Sequence, residues 1–132
     1  MNKKIFFIAL SLIIASAAFA QKPIIEFEKK VHDFARFNED GGSVRYEFKF
    51  TNKGDVPLVI NRVNASCGCT TPDWTKQPIM PGKTGTIVAV YNPLGRPGVF
   101  TKSITVFSNA TEEQVNLLIK GDVIPRATTA TK

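Results

Sequence analysis

Histidine, cysteine and long apolar runs are scarce in this chain, and each scarcity narrows its chemistry. The single histidine, His32, leaves little from which to build a hydrolase triad, and no serine lies in a Gly-x-Ser-x-Gly turn. Only two cysteines occur, Cys67 and Cys69, separated by Gly68. That spacing is shorter than Cys-x-x-Cys and no helical pattern follows it. A thioredoxin arrangement, in which a helix N-terminus activates the thiol, is therefore not expected. The two distant cysteines of antibody domains are missing too, because such close neighbours cannot staple two sheets. Although the net charge is +6, its basic residues are scattered among acids, so nucleic-acid binding is not expected. No enzyme is expected from this inventory.

One long apolar run is present, and it stands at the start. Lys3 and Lys4 precede an apolar stretch from Ile5 to Ala15, and Ala18-Phe19-Ala20 forms a small-x-small cleavage site. Residues 1–20 thus read as a signal peptide that leaves Gln21 as the mature N-terminus. The run falls short of the ~20 residues that cross a bilayer. No cysteine stands at the cleavage point to carry a lipid. The mature product is expected to be soluble, in a periplasm or outside the cell, with no membrane span after cleavage. Residues 21–124 suffice for one domain, and the Thr-, Ala- and Lys-rich residues 125–132 are expected to form a disordered tail.

Helical periodicity is absent from the mature chain; short β-rich runs alternate with turn residues instead. Candidate strands are 24–28, 31–34, 44–51, 58–65, 85–91, 100–108 and 114–123. The clearest is Val44 to Thr51, in which Val44, Tyr46, Phe48 and Phe50 share one face and Arg45, Glu47, Lys49 and Thr51 the other. Such alternation indicates an antiparallel strand with one wet face. Between Ile60 and Val63 the apolar phase slips, which predicts a β-bulge near Asn61-Arg62. Gly85 to Tyr91 is apolar on both faces and is expected to lie centrally in its sheet. About seven short strands without helices predict an all-β, immunoglobulin-like antiparallel β-sandwich, with a closed barrel as the alternative.

Ser66-Cys67-Gly68-Cys69-Thr70 is the one segment where chemistry beyond packing is plausible. A disulfide needs Cα atoms within roughly 4.4–6.8 Å, which residues i and i+2 meet most easily in a turn. Gly68 supplies freedom for that turn. The small ring is expected to be strained and hence easily reduced. Loop closure contributes little, about 1.6 kcal/mol for three residues. Four readings stay open: two thiols shaping a tight loop, a labile disulfide, a soft-metal site, or a partner-binding loop. As a metal site, two thiolates suit copper or zinc, with His32 or Met80 as a third ligand.

Other features carry less. His32 and Asp33 are adjacent on a strand and point to opposite faces, so they do not form a dyad. Gly82-Lys83-Thr84 resembles the end of a phosphate loop, but Gln77 replaces the required glycine, and a hairpin turn is predicted. Asn64-Ala65-Ser66 and Asn109-Ala110-Thr111 fit a glycosylation sequon that arises by chance in a bacterial export product. Trp74 either covers one end of the sandwich or anchors a partner.

Several stretches together resemble a bacterial family, domain of unknown function family 1573. They are Val31-His32-Asp33-Phe34, Phe48 to Asp55 with Pro57-Leu58, and Ser66-Cys67-Gly68-Cys69-Thr70. Pro78 to Gly82, Gly98 to Lys102, Asn109 and Ile119-Lys120-Gly121 complete them. The resemblance spans roughly residues 27–123, and Ala35 departs from it where glycine is usual after Asp-Phe. It implies a sandwich similar to the PapD and major-sperm-protein group, in exported proteins, and no established activity. Domains of that shape often bind other chains by strand addition. The function expected is a non-enzymatic binding or scaffold module of the bacterial envelope without a cofactor. It would present Cys67, Gly68, Cys69, Thr70 and Trp74 within a loop 65–80 to an envelope protein or polymer.

Overall fold

A computed structural model describes residues 21–127; the expected signal segment 1–20 and the last tail residues, 128–132, lie outside the described residues. Eight strands follow one another: β1 (Ile25–Phe27), β2 (Val31–Asn38), β3 (Val44–Asn52), β4 (Ile60–Ala65), β5 (Thr70–Trp74), β6 (Thr84–Tyr91), β7 (Gly98–Ser108) and β8 (Gln114–Ile124). They form two four-stranded sheets, ordered β1-β3-β6-β5 and β2-β8-β7-β4. All neighbours are antiparallel except β2 and β8, which run parallel. The sheets face each other as a sandwich, and the barrel alternative falls because neither closes on itself.

Alternation explains which residues meet between the sheets. In β3, Phe48 and Phe50 are fully buried while Arg45, Glu47 and Lys49 are exposed. Ile87, Ala89 and Tyr91 of β6 face the same way, and Ile104, Val106, Leu117, Ile119 and Val123 come from the opposite sheet. Burying each large side chain contributes roughly 1.5–3 kcal/mol. β6 lies between β3 and β5, in agreement with its two apolar faces. The phase slip in β4 is a register shift between Ile60 and Arg62, the predicted bulge.

Two elements differ from the expectation. β5 is an eighth strand inside the segment expected to be one loop; Pro72 disguises it, and proline is tolerated there because β5 is an edge. β2 runs on to Asn38, four residues beyond its predicted end, through a register shift between Asp33 and Arg36. Ala35 sits at that shift with φ 56°, and its N–H donates to Asp33 Oδ1 at 2.8 Å. The departure from glycine at this position thus falls on a left-handed backbone.

Backbone and side-chain hydrogen bonds fix the connections. Lys83 N–H donates to Met80 O at 2.9 Å and Gly82 has φ 77°, a type II turn with Pro81 in its second position. Gly82-Lys83-Thr84 thus lies in a turn, as expected, but not in a tight hairpin, because Ile79 pairs with Leu58 while Lys83 O accepts from Asn52 N–H. Asn109 accepts from Val59 N–H at 2.8 Å and donates to Pro57 O at 3.2 Å. Its amide ties the β7–β8 turn to the segment before β4. Among the described residues no helix is long and apolar enough to cross a membrane.

Candidate functional site

Cys67 and Cys69 lie where the chain leaves β4 in one sheet and enters β5 in the other. Ser66 anchors the near side: its N–H donates to Ser103 O at 2.9 Å and its Oγ accepts from Ser103 N–H at 3.1 Å. Thr70 N–H closes the turn on Cys67 O at 3.3 Å, and Asn92 N–H donates to Cys69 O at 2.9 Å. The Cα atoms stand 5.3 Å apart and the sulfurs are joined as a disulfide. Cys69 N–H points at Cys67 Sγ at 3.1 Å. The spacing meets the geometric requirement of such a bond.

The two cysteines differ in surroundings. Cys69 belongs to the core at 3% exposure, with its sulfur 3.8 Å from Thr70 Oγ1, and Thr70 is itself buried. Cys67 is half-buried against the same core, between the exposed residues Ser66 and Gly68. Gly68 has no positive φ, and a Cβ there would meet nothing within 4 Å. The freedom of glycine expected to make the turn is thus not used.

Trp74 ends β5 opposite Ile87, packs half-buried against the core, and carries Lys76 Nζ 3.0 Å above its ring. Asp73 on the outer face holds the same lysine at 3.5 Å. Trp74 therefore covers the sandwich edge, and a lysine covers Trp74 in turn.

His32 is not brought to this site. It lies on β2, and β8 and β7 separate that strand from β4, roughly 14 Å at the usual strand spacing. Its ring stacks on Tyr46 across the gap between the sheets, with centroids 3.7 Å apart and planes 8° from parallel. Burial lowers its pKa from 6.5, Lys29 lowers it further, and Asp33 acts in the opposite sense. Asp33 points the other way, to the bulge. Met80 lies in the β5–β6 turn beside the Leu58–Ile79 bridge, at the far end of β4 and β5 from the cysteines. Among the described residues no group of three or more His, Cys, Asp or Glu is placed to hold a metal.

A separate cleft of about 290 Å³ lies outside β2, β8 and β7, lined by Asp33, Arg36, Val99, Lys120 and Asp122 among others. Arg36 and Asp122 pair across it at 3.4 Å. Neither cysteine lines it. No signal in the sequence pointed to it, since it depends on the pairing of β2 with β8.

Two four-stranded sheets packed face to face make an immunoglobulin-like β-sandwich, a fold group whose solved members include bacterial chaperones. Within that group the chain belongs to DUF1573, a family of proteins of unknown function whose sequence model matches residues 25–123. A protein of unknown function from Porphyromonas gingivalis W83 superposes with TM-score 0.67 at 17% identity, covering 78% of this chain and 48% of that one. The Vibrio cholerae VesB protease gives 0.61 at 13% identity, over 74% of this chain and 31% of its own. The E. coli chaperone DraB gives 0.52 at 12% identity, over 80% and 57%. This chain thus spans half or less of the first two, and at these identities the likeness is one of fold. No curated protein matches the sequence.

Proposed function

We propose that the chain is an exported, non-enzymatic binding or scaffold module of the bacterial cell envelope. Its working surface is the stretch 65–80, which consists of the cysteine turn, the edge strand β5 and the Trp74–Lys76 cover. The observation that carries this reading is the position of β5. It pairs with β6 on one side and ends its sheet on the other, and it is short and interrupted by Pro72. That edge offers a partner its side chains and carbonyls rather than a free ladder: Pro72 has no N–H, and the N–H groups of Thr70 and Trp74 are held by Cys67 O and Asp73 Oδ1. The chaperone description of DraB supports protein binding by analogy of fold.

The test places a photo-cross-linking residue at Asp73, or at Glu26 on β1 as control, in the full chain expressed in its own type of host. A discrete adduct from Asp73 that is absent from Glu26 and lost on Trp74→Ala is the expected result. No adduct at Asp73, or the same adducts from both positions, sinks the surface. The intact mass of the exported form, expected to begin at Gln21, checks the export part separately.

The joined sulfurs favour a second reading, a redox protein acting through Cys67-Gly68-Cys69. Its metal variant has less support. Copper or zinc would be held by two sulfurs without His32 or Met80, which stand elsewhere in the fold.

A further inference from the structure

We infer that Cys67, and not Cys69, is the sulfur that exchanges with an external protein dithiol; the inference rests on the redox reading. Two observations carry it. The first is access. Thiol–disulfide exchange requires an incoming sulfur to reach one member of the pair from outside. Cys69 is sealed in the core at 3% exposure beneath Thr70, with its carbonyl held by Asn92. Cys67 is half-buried beside Gly68, where the space a Cβ would occupy has no neighbour within 4 Å. The approach over Gly68 is open to a partner's thiol.

The second observation is the donor at the sulfur. Cys69 N–H is directed at Cys67 Sγ at 3.1 Å, and an N–H aimed at a sulfur favours negative charge on it. No comparable backbone donor reaches Cys69 Sγ among the described residues; its neighbour is the Thr70 hydroxyl at 3.8 Å. The more accessible sulfur is thus also the one with a backbone donor for the charge it takes when released from a mixed disulfide.

In the forward step the donor's thiolate attacks Cys67 Sγ. The bond between the two protein sulfurs breaks, its electron pair goes to Cys69 Sγ, and Cys69 takes up the proton that the donor's second thiol gives up. The donor is then joined to Cys67. Its second thiolate attacks the donor sulfur of that mixed disulfide and releases Cys67. The donor is oxidised by two electrons, and the Cys67–Cys69 pair is reduced by two. Exposed Gly68 between the two sulfurs keeps the path to Cys67 free while the buried Cys69 is shielded from capture.

The experiment uses the mature chain and glutathione disulfide as the probe. Cys69→Ser, which leaves Cys67, is expected to take up one glutathione in native buffer. Cys67→Ser, which leaves Cys69, is expected to react about tenfold more slowly or less and to catch up in denaturant. The reduced wild-type chain, pulsed with limiting iodoacetamide and mapped by fragment ions, gives the same comparison without a substitution and decides the matter if either variant fails to fold. Label predominantly on Cys67 supports the assignment. Equal rates, or Cys69 labelled first, overturn it while leaving the redox reading intact. A reduced wild-type chain that glutathione disulfide does not reoxidise overturns the redox reading and the exchange with it.

Discussion

Asn52 ends β3 with a side chain wholly shut off from solvent. Its amide donates to Val56 O at 2.7 Å and Ile79 O at 2.9 Å, and its Oδ1 accepts from Gly54 N–H at 2.9 Å. One residue thereby joins the turn after β3 to the segment before β6. Asn52→Leu would strip Val56 O and Gly54 N–H of this partner and leave Ile79 O with Leu58 N–H alone. We expect a loss of about 2–4 kcal/mol in urea unfolding. Glycines in the two turns separate in the same assay. A Cβ at Gly54 would stand 2.8 Å from Pro23 Cα and Ile24 N, both backbone, whereas Gly68 has open space. Gly54→Ala should cost more than about 1 kcal/mol and Gly68→Ala less than about 0.5. His32 gives a pH dependence. Burial, then Lys29, holds its folded pKa below the 6.5 of the unfolded chain, so the unfolded chain binds the proton more readily. Its contribution is complete above pH 6.5 and is lost as pH falls below that value. Unfolding of wild type and His32→Phe should differ by a constant above pH 6.5, and their curves should converge or cross below it. A difference independent of pH from 5 to 8 would contradict the assignment.

Ala35 decides the path of β2. At φ 56° a non-glycine residue costs roughly 1–2 kcal/mol, partly offset by the entropy that glycine loses on folding. Ala35→Gly should therefore raise stability by about 0.5–1 kcal/mol, read as a higher urea midpoint with unchanged slope. Strands that meet both the alternation rule and their neighbours in sequence were legible from residues alone. β3 showed its Tyr46, Phe48 and Phe50 face, β6 its two apolar faces, and β4 its slipped phase. β2 was cut short because the bulge at Ala35 destroys the alternation that marks a strand. β5 was invisible because Thr70-Thr71-Pro72-Asp73-Trp74 carries the residues of a loop, and only its edge position makes them acceptable. The parallel pairing of β2 with β8 joins residues far apart in sequence and leaves no local pattern. The candidate site suffered the same limit. The cysteine turn was evident from composition, but its placement at the crossing between sheets required β5.

The sandwich draws its stability from two facing apolar layers, and the cysteine turn lies at their margin. Phe48, Phe50, Ile87 and Tyr91 meet Ile104, Val106, Leu117 and Ile119, and Cys69 adds only one small side chain to that core. Closing a loop of three residues restricts the unfolded chain by only about 1.6 kcal/mol. Replacing the buried Cys69 by alanine adds a small cavity, on the order of 1 kcal/mol. The double variant Cys67→Ser/Cys69→Ala should therefore lose about 2–3 kcal/mol, yet keep a single cooperative transition and the β-sheet circular dichroism of the parent. Its β4–β5 turn should also stay in place. The hydrogen bonds from Ser66 to Ser103 and from Asn92 to Cys69 O involve backbone or Ser66, and both survive the change. Amide exchange at Ser66 and Asn92 reads this directly. Protected amides in a folded double variant would mean that the pair is there for chemistry or for a partner. A chain that no longer unfolds cooperatively would mean that the turn is a structural staple after all, and would leave β5 and Trp74 as the surface to pursue.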